Sequence, residues 1–462
     1  MTSVLVVGGG PAGLAAAYRL SEARDVDVHL LERTPWLGGL AAGFQHGDFT
    51  LDYGPHRLHV STPTEVLADL QRMLGSDLRL QRRQGRIRMG ERFLPFPVGP
   101  RTVLGLGVPT LMRLLGGLMV ANLKRSRERP GSYEAALRAR LGGPLYELFY
   151  GPYAEKVWGR SGTAIAADQA DRRVNQRGPT DLLLLAMGRG EGRSFWYPRG
   201  GFGRIPAVYA EALAARPRVT IQTSASLERV AWADGRVQAV TYSVDGTEHT
   251  VAADHVVWSA PLPGLVRRLD PAPPEEIAAL ATKLRHRAVV LVYMVLKRAH
   301  VGTADTYYFP ERRYPFNRVI EQKNFSADMA PANRTVLGMD IACDPDDATY
   351  TASDDQLREL VLGPLESAGL VNRSEVLEVF SRRHRSAYPL YDLHHGERFE
   401  RVRSWLDPFE NLWLIGRQGL SLHNNTHHSL LMGYRAADAI RGGSRAGWSA
   451  MLAEFNQFRV AD

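Results

Sequence analysis

A chain of 462 residues is long enough for two or three domains and a large core, and with 44% hydrophobic and 23% charged residues it has an ordinary globular composition. Its one cysteine, Cys343, excludes an internal disulfide, a thiolate cluster and the chemistry of a disulfide reductase. The net charge is +8, and five of the 57 cationic residues are lysines; this arginine-borne excess suits anionic ligands or a membrane surface, and it equally fits a general bias toward Arg, Ala and Gly.

The first elements are the most informative. Residues 3–7 are a short apolar run and predict a strand. Gly8-Gly9-Gly10-Pro11-Ala12-Gly13 follows, then an alanine-rich helical stretch at 14–21 and a second apolar run at 26–31 ending in Glu32. Strand, tight turn, helix, strand and acid together predict a dinucleotide-binding unit. Gly8 allows the turn, Gly10 lets a pyrophosphate approach the backbone, and Gly13 lets helix and strand pack closely. The helix N-terminus then faces the phosphates, and Glu32 can accept hydrogen bonds from a ribose. Because residues 1–20 form this motif they do not read as a secretory signal, and a cytoplasmic location is expected.

Residues 80–196 read as mainly helical. Within them 102–123 is apolar but holds Pro109, Arg113 and several glycines, and the basic run Lys124-Arg125-Ser126-Arg127-Glu128-Arg129 follows. Three readings stay open: a buried helix pair, a helix on a membrane surface, or a span. The central arginine is expensive in hydrocarbon and counts against the span. A helix is expected at 205–215. Strands are expected at 219–222, 227–232 and 236–243, with Asp234-Gly235 as the turn between the last two, and again from His255. A helix at 274–284, a long strand at 288–297 and a mixed region come next. A last strand ends at Gly416-Arg417, ahead of a polar loop and a helix at 428–441. No basic run with interleaved aromatics appears, so nucleic acid is not an expected partner.

After Glu32, the segment Arg33-Thr34-Pro35-Trp36-Leu37-Gly38-Gly39 resembles the glutathione-reductase type of flavoprotein, in which an acid is followed by Gly-Gly at this spacing. That resemblance implies an α/β (α+β overall) chain whose Rossmann-like FAD-binding domain comes from residues 1–80, 197–262 and 405–462. A helical and mixed α+β substrate or cap domain would come from 81–196 and 263–404. It also implies non-covalent FAD. The implied cofactor residues are Gly8, Gly10, Pro11, Ala12, Gly13, Glu32, Arg33, Gly38 and Gly39, with Gly54 and Pro55 at the flavin and Val230 touching adenine through its backbone. Gly416 and Arg417 would meet the ribityl phosphate, and the last helix would aim its N-terminus, at His428, Ser429 and Leu430, toward the flavin, where it stabilises negative charge.

A second resemblance covers nearly the whole chain, in islands. Gly54-Pro55-His56-Arg57-Leu58-His59 is similar to the Gly-Pro-His-x-x-His segment of UDP-galactopyranose mutases, and related segments occur in the protoporphyrinogen-oxidase and amine-oxidase group. Tyr153-Ala154-Glu155-Lys156-Val157-Trp158-Gly159 resembles the mutases' Tyr-x-Glu-Lys-x-Trp-Gly. Arg173 and Arg318 fall near their diphosphate-gripping arginines, and Tyr388 sits like a substrate tyrosine. The segment Tyr197–Arg204 looks more like the oxidase branch, and the loop from Gly416 to Ser429 is not the mutase version. His56 is implied beside the flavin as a proton acceptor. Arg57, Tyr153, Trp158, Arg173, Arg318, Tyr388, Asn424 and Asn425 are implied at an anionic small-molecule substrate, and the fork geometry of arginine suits phosphate. Glu155 and Lys156 also read as a simple ion pair. His423, His427 and His428 lack a partner carboxylate motif and do not read as a metal site. The expected activity is FAD-dependent oxidation of a phosphate- or diphosphate-linked sugar or lipid. The alternatives are a non-redox sugar mutase, a desaturase-type oxidase of an uncharged substrate, and a non-catalytic flavin-binding partner.

Overall fold

The computed structural model describes residues 1–97, 99–124, 130–174, 187, 193–443 and 445–460. The basic residues 125–129 and most of 175–192, read above as helical, lie outside them. Strand β1 (Thr2–Val7), helix α1 (Pro11–Leu20) and strand β2 (Val26–Leu31) open the chain. The two strands join a parallel five-stranded sheet in the order Val219–Gln222, β2, β1, His255–Trp258, Leu412–Leu414. Val4 to Val7 are all buried, as expected of a central parallel strand covered on both faces. The helix Thr426–Arg441 lies against α1 backbone to backbone: a Cβ on Gly433 would stand 2.4 Å from the Ala12 carbonyl oxygen.

A four-stranded sheet follows the order Thr247–Ala252, Arg236–Val244, Ser226–Ala233, Leu269–Asp270. A larger mixed sheet of seven strands contains the long strand His286–Leu296, which lies between Val376–Pro389 and Thr335–Cys343. Arg318–Glu321, Thr306–Tyr308, Gly85–Met89 and Arg92–Phe96 extend it. In the long strand His286–Leu296, Ala288, Val290, Val292 and Met294 pack with Leu357, Val361 and Leu365 of the helix Asp354–Ser367. Val289, Leu291, Tyr293 and Val295 pack on Phe49, Leu51 and Tyr53. Both faces are covered, so the strand is apolar throughout. Its second face also holds the segment that delivers Pro55 and His56 to the cleft described below.

Two expectations change. Residues 80–196 do not start as helix: Leu78–Arg82, Gly85–Met89 and Arg92–Phe96 are strands, the last two paired as a hairpin around Gly90. The stretch 102–123 does form two helices, Pro100–Gly105 and Val108–Leu123, but its large side chains are not buried. Among the described residues no helix is long and apolar enough to cross a membrane.

Candidate active site

The glycine turn after β1 has the shape a dinucleotide needs. Gly8 has φ +104°, and a Cβ on Gly13 would sit 1.9 Å from the Gly8 carbonyl oxygen, so neither position accepts a side chain. A Cβ on Gly10 would meet nothing within 4 Å, which leaves that face of the turn open to a phosphate. Pro11 starts α1, Ala12 is buried beside it, and the helix N-terminus points across the same face. The Gly38 amide donates to the Gly9 carbonyl at 2.7 Å, which ties the Gly38-Gly39 loop to the turn. Glu32 accepts from the amides of Gly9 and Thr34, both at 2.8 Å, which fixes its carboxylate at the end of β2. Arg33 is exposed. Gly416 closes the cradle from the far end of the sequence, since a Cβ there would touch Ala12. The Val230 amide donates to the Arg268 carbonyl at 2.7 Å, so its N–H is satisfied within the protein.

Beside this cradle lies a cleft of about 1070 Å³, its open mouth included. Gly54, Pro55 and His56 line one side, and Arg57, Arg83, Arg173, Arg318 and Arg417 line it from separate parts of the chain. Tyr388 and Asn425 complete the expected residues, and Asp340 is the carboxylate on the lining. Arg318 is locked in place: its Nε and Nη2 donate to one Asp340 oxygen at 2.9 and 2.5 Å. That leaves Nη1 of the fork for a ligand. Burial works to lower the Arg318 pKa, but Asp340, with Tyr153 and Tyr388, outweighs it and raises the value well above the ordinary one. Arg57 donates to Asp305 and Thr306 at 2.7 and 2.6 Å and lies between the rings of Phe195 and Phe325. Arg83 donates to the Tyr308 hydroxyl and stacks on Phe96. The Nε atoms of Arg57 and Arg83 are buried without a hydrogen-bond partner. Arg173 lies over Trp158, and Arg417 lies over Tyr388.

His56 Nε2 donates to the Tyr53 carbonyl at 3.0 Å. Burial, and then the Arg417 guanidinium, push its pKa down to about 4. The imidazole is therefore neutral at pH 7 and a poor proton acceptor in this state, which does not suit a general base. An anion bound beside it would raise that pKa.

Several expected residues stand elsewhere. Tyr153 stacks on Phe149 and Trp158 is buried beneath Arg173, so both support the cleft wall without lining it. Asn424 is buried and accepts from the Ser429 hydroxyl. His428, Ser429 and Leu430 do not line the cleft, because the last helix starts at Thr426, two residues earlier than expected. Asn425 and Thr426 take the lining position, and His428 Nδ1 accepts from the Asn425 amide at 3.2 Å. Glu155 and Lys156 do not pair. Glu155 bonds Arg312, while Lys156 Nζ donates to the carbonyls of Phe309 and Phe316, and burial lowers its pKa to about 7. His423 lies against Tyr388 and His427 against His59. Arg83 and Asp340 were not legible in the sequence. Neither belongs to a motif, and Arg83 is one of several arginines in and between the strands Leu78–Arg82 and Gly85–Met89.

The family model for flavin containing amine oxidoreductase matches residues 11–446. The chain belongs to the flavin-containing amine oxidoreductase family. It is thus a flavin-dependent oxidoreductase, and the glycine cradle fits the cofactor that this family carries. The coproporphyrinogen III oxidase of Mycobacterium tuberculosis (strain ATCC 25618 / H37Rv) is 26% identical over 440 residues, covering 88% of this chain and 91% of the relative. Among solved structures, a reduced UDP-galactopyranose mutase superposes with a TM-score of 0.83 at 21% identity, covering 100% of this chain and 98% of that one. A putative protoporphyrinogen oxidase from Exiguobacterium sp. 255-15 reaches 0.72 at 22% identity, covering 96% and 99%. A putrescine oxidase reaches 0.63 at 18% identity, covering 96% and 99%. At these identities the structural likenesses show a shared fold.

Proposed function

We propose that this family member holds FAD non-covalently and oxidises a small molecule bearing a phosphate or diphosphate, on a sugar or a lipid. The observation that carries the proposal is the convergence of Arg57, Arg83, Arg173, Arg318 and Arg417 on one cleft with His56. Asp340 and Asp305 pair Arg318 and Arg57, so the cationic forks outnumber the carboxylates beside them. Such a cleft suits a polyanion better than an uncharged substrate, which weakens the desaturase reading. The glycine turn, Gly38-Gly39 and Gly416 would hold the dinucleotide, with residues 1–80, 197–262 and 405–462 as its domain and the remainder as the substrate domain.

When bound, the flavin supplies a two-electron acceptor. The residues of this chain supply the grip and the orientation. Arg173 and Arg318 hold the anion from opposite walls, and remote binding energy of this kind presents the reacting carbon. A bound anion also makes His56 a better proton acceptor than it is in the open cleft. A second reading, isomerisation without net redox, is favoured by the two arginines and by the motif likeness around His56 and Trp158.

The test begins with purified, flavin-loaded protein and inorganic pyrophosphate. Pyrophosphate is expected to perturb the flavin spectrum saturably and to compete with substrate. Phosphorylated and diphosphorylated sugars and lipids are then screened anaerobically. Bleaching of the flavin by one of them supports oxidation, whereas turnover only after prior reduction, with no net redox change, supports the isomerase. A protein that carries no FAD, or whose cleft ignores pyrophosphate, would overturn the proposal.

A further inference from the structure

The helix Val108–Leu123 is built inside out. Val108, Met112, Leu115, Met119 and Leu123 are 51% to 80% exposed, and they recur at i, i+4, i+7, i+11 and i+15. At 100° per residue they share an arc of about 80°. The opposite side carries the small residues that pack: Ala121 is buried, and a Cβ on Gly117 would lie 2.4 Å from the Pro144 ring. Leu104 of the preceding helix, 79% exposed, adds to the same apolar run of sequence. Apolar stripes of this kind on a globular protein mark a contact surface.

Charge selects the occupant. Residues 100–124 carry Arg101, Arg113 and Lys124 and no acid, and all three cations are exposed. Arg113 reaches Glu147 at the flank, at 2.9 Å. A second copy of this chain would set one cationic rim against another, whereas an anionic lipid surface complements both the rim and the stripe. The helix is about 24 Å long at 1.5 Å per residue, short of a bilayer's hydrocarbon core of about 30 Å, so it can only lie in the plane of the surface.

We propose that this face docks the protein on an anionic lipid surface, with Val108–Leu123 lying in the interface and its stripe among the acyl chains. Docking would place the enzyme where an amphiphilic substrate resides, but the proposal stands on the helix alone and does not depend on the substrate assigned above.

Flotation of the flavin-loaded protein with phosphatidylcholine vesicles, with and without phosphatidylglycerol, tests it. Binding is expected on the anionic vesicles and should weaken with salt. The triple variant Val108→Ser, Met112→Ser, Met119→Ser should lose binding by about tenfold or more while keeping flavin content and melting temperature. A second readout uses Leu115→Cys. Cys343 is buried, so an environment-sensitive dye labels the new thiol alone. Its emission should shift to the blue on anionic vesicles and stay unchanged on phosphatidylcholine. Three results would each overturn the proposal: wild-type protein that stays free of both vesicle types, a folded triple variant that floats like wild type, or a lipid-free wild-type dimer that the triple variant dissociates.

Discussion

Arg318 and Asp340 face each other across adjacent antiparallel strands, and their fork-to-carboxylate contact is buried on the Asp340 side and largely enclosed on the Arg318 side. Asp340 therefore does two things: it compensates a buried cation and it sets the direction in which the remaining donor points. Removing the guanidinium takes away one charge-assisted grip on an anion, worth about 1.5–3 kcal/mol, or roughly 10- to 100-fold in affinity. Arg318→Ala should weaken pyrophosphate binding by that amount and leave flavin content unchanged. Asp340→Asn keeps the cation but frees its fork, so a smaller loss is expected, together with a lower melting temperature from the uncompensated charge. Titration monitored through the flavin absorbance checks both variants. If both bind pyrophosphate like wild type, Arg318 is a structural arginine. The pair also shows what the sequence could yield at this scale. Arg318 sits in a segment with a recognisable pattern. Asp340 sits 22 positions on, and only strand register brings it opposite. Tyr153 and Trp158 carried a matching pattern too, yet their rings serve the wall, because a motif fixes residue type and not the direction in which the side chain faces the cleft.

At the scale of elements, local chemistry was legible and orientation was not. The turn from Gly8 to Gly13 could be read because each glycine answers a steric demand within a few residues. The periodicity of Val108–Leu123 announced a helix, but not that its large side chains face outward and its small ones inward. The hairpin Gly85–Met89 and Arg92–Phe96 escaped because its arginines hide the alternation: Arg88 is buried, stacked on Phe93, while Ile87 is buried as well. The contact between α1 and the helix Thr426–Arg441 was likewise invisible, since it joins the two ends of the chain. It has a sharp consequence. With its Cβ 2.4 Å from the Ala12 carbonyl oxygen and 2.7 Å from the Ala16 amide nitrogen, Gly433→Ala cannot be absorbed by a side-chain rotation. The helix must move away from α1 and carry Asn425 and Thr426 with it. Overpacking of this sort costs about 1–3 kcal/mol. The variant should melt at a lower temperature and lose flavin on dilution, although the substituted position lies outside the cleft lining. Wild-type stability and flavin retention would show that the two helices have room to separate.

At the scale of the whole molecule, the enclosed histidines couple stability to pH. His56, His286 and His384 are each pushed down to about 4, and His395 and His428 to about 3, with burial as the leading cause in every case. The ordinary histidine value is 6.5. Between that value and the depressed ones the unfolded chain holds protons that the folded chain refuses, so the unfolded state binds more protons and stability rises with pH. The contribution is fully present above 6.5 and is lost progressively as pH falls toward 4 and 3. Each such histidine contributes a slope of up to about 1.4 kcal/mol per pH unit inside its window. Carboxylates lose their charge mostly below this range, so acid sensitivity that begins between pH 6.5 and 5 belongs to the imidazoles. The melting temperature is therefore expected to decline steadily from pH 6.5 downward, while Lys156, pushed down by burial to about 7, adds a separate rise of stability with pH above 7. His384 is the position for a controlled test, since its Nε2 has no hydrogen-bond partner to lose and burial is its one source of depression. His384→Gln should reduce the slope of stability against pH by a fraction of one proton while changing stability little at pH 8. A melting temperature that stays level down to pH 5, or a His384→Gln slope equal to that of wild type, would show that the folded protein admits protons to these rings.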